Sequence, residues 1–435
     1  MPDRLSSRVL SGWTDPSALF MALESVSPDV FWLDAGTAAR EGWSFIGTGE
    51  RAGDPDAVRI DSVTGGDADA PPFLGGWVGW CDYESGAASA GAPTSASVGR
   101  SWLRARRVVA FDHAADRVWV LAEEGDLDEW AALVTEPRAV ASDVTVPTDA
   151  ALSAVARHEP AEYMQLIERC RELIRAGIAY QLCLTTRFTV PGQHDAVTAY
   201  LRLRAATPAH HGGFVRIGGR ALLSASPEQF LHAAGGVIRT RPIKGTRPRS
   251  ADAAEDAALA AELAVNAKER AENVMIVDLM RNDLSRVCEP GSIRVDGLWQ
   301  VESYPAVHQL VSTVSGKAAS GTTVADLLEA TFPAGSMTGA PKLSAMTRLR
   351  ELEGGQRGIY AGCFGYVGVD GALDLAMVIR SIVIEQTAAV VGAGGGITWG
   401  SVPAAEVAEV ATKARAPLAA LGAVLPGHWG SDILN

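Results

Sequence analysis

No stretch of this 435-residue chain approaches the ~20 consecutive apolar residues that cross a bilayer. The amino terminus, MPDRLSSRVLSGW, lacks the unbroken apolar core of a secretory leader, so a cytoplasmic protein is expected. Its five cysteines, Cys81, Cys170, Cys183, Cys288 and Cys363, are odd in number and far apart, with no CxxC pair. That pattern excludes a disulfide framework and a zinc site and fits reduced thiols. Basic charge is also in deficit: 38 Lys+Arg face 51 Asp+Glu, for a formal net charge of −13. A general nucleic-acid binder must neutralise many phosphates, and this balance argues against one. Neither a GxxxxGK phosphate loop nor a complete GxGxxG after a first strand is found, and no internal repeat is visible.

What is present suffices for a large core, since 47 % of residues are hydrophobic. Two stretches look like connections: residues 85–99, small and flexible, and residues 135–159, with Pro137 and Pro147. The second is taken as the boundary between an N-terminal region, 1–150, and a main unit, 151–425. Before it, VFWLDA and the hairpin RVVAFDHAADRVWVLA read as strands. After it, Tyr163, Leu166, Ile167, Cys170, Leu173 and Ile174 recur at helical spacing behind Pro160 and ahead of Gly177. Further helices are expected at 251–284, 324–331, 342–352 and 404–421. Strands are expected at 214–217, 221–224, 237–240, 307–314, 358–367, 374–384 and 388–392. Strands in runs, punctuated by helices, predict an α+β architecture.

Several clusters carry chemistry. RTRPIKGTRPR, residues 239–249, concentrates four arginines and a lysine in an acidic chain, for an anion or for a reaction that uses one of those cations. Glu269 and Glu272 share a helix face, as do Glu406, Glu409 and Lys413. Taken alone, Glu269 and Glu272 read first as a solvated face and neither pair specifies a metal, but four carboxylates together suit Mg²⁺, which takes one or two protein oxygens plus water and substrate oxygens. Gly392, Gly394, Gly395 and Gly396, expected in a turn, let backbone amides approach an anion. Gln181 lies on the opposite strand face from Tyr180 and Leu182. His308, alternating with apolar neighbours, reads as a core histidine, Arg380 as a clamp for a carboxylate, and Glu228 as a surface residue.

In order, SASPEQF, RPIKGTRPR, KERAENVMIVDLMRNDLSRV, ESYPAVHQLVST, FPAGSMTGAPK, GIYAGCFGYVG and GAGGGITWGSVPAAEVAEVATKA resemble the chorismate-binding enzymes over about residues 160–420. ALESV, WSFIG and PPFLGGWVGW resemble the N-terminal region of the ammonia-using branch. The resemblance implies a large antiparallel β core of two stacked sheets with helices outside, as in anthranilate synthase component I. It implies that Glu269, Glu272, Glu406 and Glu409 surround Mg²⁺, which grips the ring carboxylate of chorismate. By the same resemblance Tyr360, Arg380 and the amides of Gly394, Gly395 and Gly396 hold carboxylate oxygens, with Lys413 nearby and Thr246 and Gln181 at the substrate. Glu228 matches the acid that protonates the departing C4 hydroxyl, with His308 and Ser336 near it.

Two positions bear on the branch. Water-adding members carry a lysine base where this chain has Gln181, whose amide cannot activate water. Anthranilate synthases usually read PIAGT, whereas PIKGT with Lys244 resembles the aminodeoxychorismate synthase branch, in which the lysine is proposed to attack the ring. Inward-facing Arg241, Arg247 or Arg249 would lower the pKa of that ammonium. Ammonia is expected from a separate glutamine amidotransferase, because no nucleophilic cysteine in a glycine-rich elbow is found here. Anthranilate synthesis and a non-catalytic chorismate-binding subunit are the alternatives. Gln229, Asn273, Val402 and TPAHHGGF depart from the usual family pattern, and LES at 23–25 resembles part of a tryptophan-regulatory motif.

Overall fold

The computed structural model describes residues 4–37, 39–61, 69–94, 99–136, 152–305 and 307–430. Most of the expected boundary, residues 137–151, lies outside the described residues. The other expected connection starts instead as a helix, Tyr83–Ser89, because Tyr83, Glu84 and Ala87 are buried against the body of the protein.

Among the described residues, twenty strands form one antiparallel hydrogen-bonded network. A single path of pairings crosses most of it. Strand Gln181–Pro191 pairs with Ala388–Ile397, which pairs with Ser381–Ile384, then Arg220–Ser226 and His211–Ile217. From there the ladder enters the N-terminal region through Val30–Asp34, Trp43–Ala52, Arg100–Asp112 and Gly76–Cys81. It returns through Cys363–Gly368, Leu373–Met377, Gln229–Ala234, Val237–Thr240 and Val307–Lys317 to Ile243–Pro248. Strands from before residue 136 thus bridge two sets of strands from after residue 152.

Alternation along these strands produces two kinds of interior. One core is built from strand and loop residues alone, among them Phe31, Phe45, Phe73, Trp80, Leu103, Val215, Phe364 and Val383, as two strand faces packed together require. Each such side chain contributes about 1.5–3 kcal/mol by leaving water. The other two cores lie between sheet and helix. Pro160–Arg175, Ala196–Ala206, Lys342–Glu353 and Pro403–Ala420 cover one side, and Ala267–Ser285 and Val324–Thr331 another. The expected α+β class, with a large antiparallel sheet and helices outside, is what the chain adopts.

Three elements differ from expectation. The helix expected at 251–284 is two, Ala253–Val265 and Ala267–Ser285, because Asn266 is extended and its side chain caps the second by accepting the Glu269 N–H at 3.1 Å. The strand expected at 374–384 is broken between Met377 and Ser381, where Arg380 adopts φ 50°. The strand expected from 358 begins only at Cys363, after Ala361 at φ 63°.

One ion pair ties these layers together. The Arg357 guanidinium, 2 % exposed, donates to both Glu353 oxygens at 2.7 and 2.9 Å, to Met337 O at 2.6 Å and to Cys183 O at 2.8 Å. Glu353 also accepts the Thr185 N–H at 2.9 Å. Glu84 accepts the backbone N–H groups of Arg357 and Gly358 at 2.7 and 2.9 Å. Removing one member leaves the other charge buried, so Glu353→Ala is expected to destabilise the fold by about 3–5 kcal/mol. Denaturant unfolding checks this, and a loss below about 1 kcal/mol, typical of an exposed pair, would contradict it.

Candidate active site

Two neighbouring strands make the floor of the site. Gln181–Pro191 and Ala388–Ile397 pair without interruption down to Leu182 opposite Ile397, so the four glycines expected in a turn are all in a strand. Their lack of a side chain is what lets other groups approach. A Cβ on Gly392 would fall 2.1 Å from Cγ of the Tyr360 ring, and one on Gly395 3.1 Å from Glu406 Oε2 and 4.0 Å from Glu409 Oε1. A Cβ on Gly396 would fall 2.5 Å from Gln181 Nε2 and 3.5 Å from Lys244 Nζ. Gln181 and Lys244 therefore meet at Gly396, although their strands are far apart along the ladder.

Lys244 reaches this point from a bulged strand, with Gly245 at φ 77° packed against the Glu269 side chain. Its Nζ lies 4.0 Å from Glu272 Oε2. The arginines around it do not crowd it. Arg241 pairs with Glu302, Arg247 with Glu262 and Glu269, and Arg249 with Asp256. The condition for them to act on Lys244, that they point inward unpaired, is not met: acids from other elements neutralise these three, and Lys244 is left at the site. Asn273 is fully buried, donates to Pro242 O at 3.3 Å and accepts from Ser312 Oγ at 2.5 Å, which fixes the helix of Glu269 and Glu272 to the strand of Lys244.

Both carboxylate pairs border this space. Burial holds Glu272 above the usual range against the pull of Lys244 and Lys268, with Glu269 and Glu409 raising it further. Burial likewise raises Glu406, opposed by a hydrogen bond from Ser401 and reinforced by Glu409. At Glu409 burial acts upward, but Lys413, 2.7 Å away, and further lysines hold it below the usual range. The Lys413 ammonium also donates to Gly394 O at 2.8 Å. Among the described residues no three His, Cys, Asp or Glu side chains are grouped as a ready metal cage. Two facing carboxylate pairs still fit Mg²⁺, which needs only one or two direct protein oxygens.

Glu228, 8 % exposed, is pushed up to about 7 by burial, against the lowering effects of Lys244, a Ser336 hydrogen bond and Lys413. Ser336 Oγ donates to its Oε1 at 3.1 Å. A carboxyl expected from its turn position to sit at the surface is thus an interior acid that keeps its proton near neutrality. Arg380 has no carboxylate within ion-pair distance among the described residues, and burial lowers its pKa with Tyr360 and Glu409 opposing. An unpaired, left-handed arginine is strained and available to an anionic ligand. Thr246 is exposed and stands cross-strand from Gln309.

His308 is not brought to this group. Its ring is held between Ser303 Oγ at 2.8 Å and Asp256 Oδ1 at 2.9 Å, which makes it a satisfied core residue and not a partner of Glu228. Strand alternation turns Gln309 to the other face, where it is 4 % exposed and its Oε1 has no hydrogen-bond partner. Gln181 is fully buried with neither amide atom bonded. Lys268, 3.8 Å from Glu272, was legible as an i,i+4 partner but was not singled out by its spacing. Two departures meet elsewhere, since Gln229 donates to Asp374 Oδ1 at 3.0 Å and His211 Nε2 lies 3.7 Å from the same oxygen.

The titration of Glu228 is measurable without substrate. Infrared difference spectra are expected to show one carboxyl losing its proton near pH 7, absent in Glu228→Gln and shifted upward in Ser336→Ala, where a bond favouring the carboxylate is gone. A carboxyl band already lost by pH 5 would contradict this.

A family profile described as chorismate binding enzyme matches residues 34–419. An aminodeoxychorismate synthase of Streptomyces pristinaespiralis is 38 % identical, the match covering 99 % of this chain and 67 % of that one. An anthranilate synthase component 1 of Streptomyces coelicolor is 40 % identical over 81 % of this chain and 73 % of its own length. The crystal structure of anthranilate synthase component I from Streptococcus pneumoniae superposes with a TM-score of 0.73 at 28 % identity, covering 96 % of this chain and 93 % of that one. With the buried acid, the carboxylate pairs and the glycine strand in one place, these matches settle the family: the chain belongs to the chorismate-binding enzymes.

Proposed function

We propose that this enzyme is an aminodeoxychorismate synthase component I, replacing the C4 hydroxyl of chorismate by an amino group to give 4-amino-4-deoxychorismate. The observation that carries this reading is the placement of an amine, Lys244, beside a neutral amide, Gln181, within electrostatic range of a buried acid, Glu228. An amide neither removes a proton from water nor attacks carbon, so Lys244 is the nucleophile of the pair.

The bonds balance as follows. The Lys244 lone pair, once its ammonium has lost a proton, attacks C2, both conjugated ring double bonds shift by one position towards C4, and the C4–O bond breaks. Hydroxide leaves poorly, so Glu228 gives its proton to the departing oxygen and water is released. Ammonia then attacks C4, both double bonds return, the C2–N bond breaks with its electron pair going to the Lys244 amine, and a proton of the new ammonium returns to Glu228. Arg380, Tyr360, Lys413 and the amides of Gly394, Gly395 and Gly396 hold the substrate carboxylates, with Thr246 at the ring. Mg²⁺, held by Glu269, Glu272, Glu406 and Glu409, would offset the charge of the ring carboxylate. Ammonia comes from glutamine through a separate amidotransferase, and the product serves 4-aminobenzoate and folate synthesis.

Incubation with chorismate, Mg²⁺ and ammonium, followed by mass spectrometry, is expected to yield an aminated ring that keeps its three-carbon enolpyruvyl group. Anthranilate with released pyruvate overturns this reading. Lys244→Ala is expected to lower turnover at least a hundredfold while chorismate still binds, and unchanged turnover would reject the covalent route. The rate should fall as pH rises through about 7, because the acid form of Glu228 is then lost. Glu228→Gln should abolish that limb.

A further inference from the structure

The ladder that ends at Leu182 opposite Ile397 releases two segments at the rim of the site, and both carry exposed aromatic rings. Tyr180, the residue before Gln181, is 71 % exposed, and Trp399, three residues beyond Gly396, is 52 % exposed. Val402 and Leu343 extend the patch at 61 % and 49 %. Leu343 is held near Tyr180 because the Tyr180 N–H bonds Ala340 O at 2.7 Å and Ser344 Oγ bonds Ile178 O at 2.9 Å. The guanidinium groups of Arg175 and Arg171 lie 5.0 and 5.7 Å from the Trp399 ring centroid. Arg171 is paired with Glu168, whereas Arg175 has no carboxylate partner among the described residues.

Trp32, Trp80, Trp130 and Trp429 are fully buried, and of the other tryptophans Trp13, at 44 %, comes nearest to Trp399 in exposure. Exposed Trp, Tyr and Arg grouped around aliphatic side chains have the composition of the energetic centre of a protein interface. We propose that this patch docks the ammonia-supplying glutamine amidotransferase, through a face that offers a carboxylate to Arg175 and an apolar recess to Trp399 and Tyr180. The proposal rests on the amination reading above. Two observations favour this occupant over a second copy of the chain. A two-fold contact centred on the patch would bring the unpaired Arg175 of both copies into one interface, where like charges repel. The patch also flanks both strand ends that carry Gln181 and Gly396, so a source docked there releases ammonia at the rim of the site.

Arg175→Glu and Trp399→Ala are the test, each first shown by thermal melt to fold like the wild type. Amination is measured with ammonium chloride, then with glutamine plus a purified amidotransferase of the aminodeoxychorismate synthase type. Glutamine-dependent turnover is expected to fall at least tenfold in each variant while ammonium-dependent turnover stays within about twofold. Hydrogen exchange at residues 171–180 and 397–402 is expected to slow when the amidotransferase is added. Unchanged glutamine-dependent turnover in both variants, or a wild-type dimer that either variant dissociates, overturns the docking site and leaves the amination reading standing. A wild-type chain that fails to aminate chorismate from either source overturns the reading and the docking site with it.

Discussion

A single buried guanidinium organises the centre of this enzyme. Arg357 meets Glu353 from one helix, the carbonyls of Cys183 and Met337, and through its backbone Glu84 from the N-terminal region, with the Tyr83 ring 4.2 Å beneath it. A charge so far from water is tolerable only when all its donors are bonded, so the segments that bond it must be in place together. Such a pair adds little net stability over a well-packed apolar substitute, but it admits few alternative arrangements. Tyr360 follows three residues later and is pressed against Gly392. The geometry of the substrate wall is thereby tied to the ion pair behind it.

Around the site, carboxyl groups of one chemical type are held in different protonation states. Glu228 is surrounded closely enough that desolvation dominates and the acid form persists near neutrality, whereas Glu409 is matched with Lys413 and stays ionised. One carboxyl keeps its proton and another its charge, the division of labour that the proposed acid-assisted departure asks for.

Much of this was legible in the sequence, for identifiable reasons. Helices Pro160–Arg175, Val324–Thr331 and Lys342–Glu353 follow periodic runs with clear start and stop residues. The carboxylate pairs were visible because helical spacing of three puts side chains on one face. What was hidden depended on distant neighbours. The glycine run looked like a turn because nothing local announces that Tyr360, Gln181 and Lys244 will occupy the space of its missing side chains. Asn266 was one polar residue in a long helical pattern, and only its cap geometry reveals a break. His308 alternates like any core strand residue, and only its bonds to Ser303 and Asp256, not to Glu228, show where its ring is held.

The meeting of Gln181 and Lys244 at Gly396 bears on assembly. Their strands are linked through a ladder that passes through the N-terminal strands before the two residues come together. The site is a seam of the sheet, closed by contacts between parts of the chain that local structure cannot bring near each other. The complete site therefore depends on long-range pairings all along that path, and a molecule with a misplaced strand on it lacks the meeting of Gln181 and Lys244.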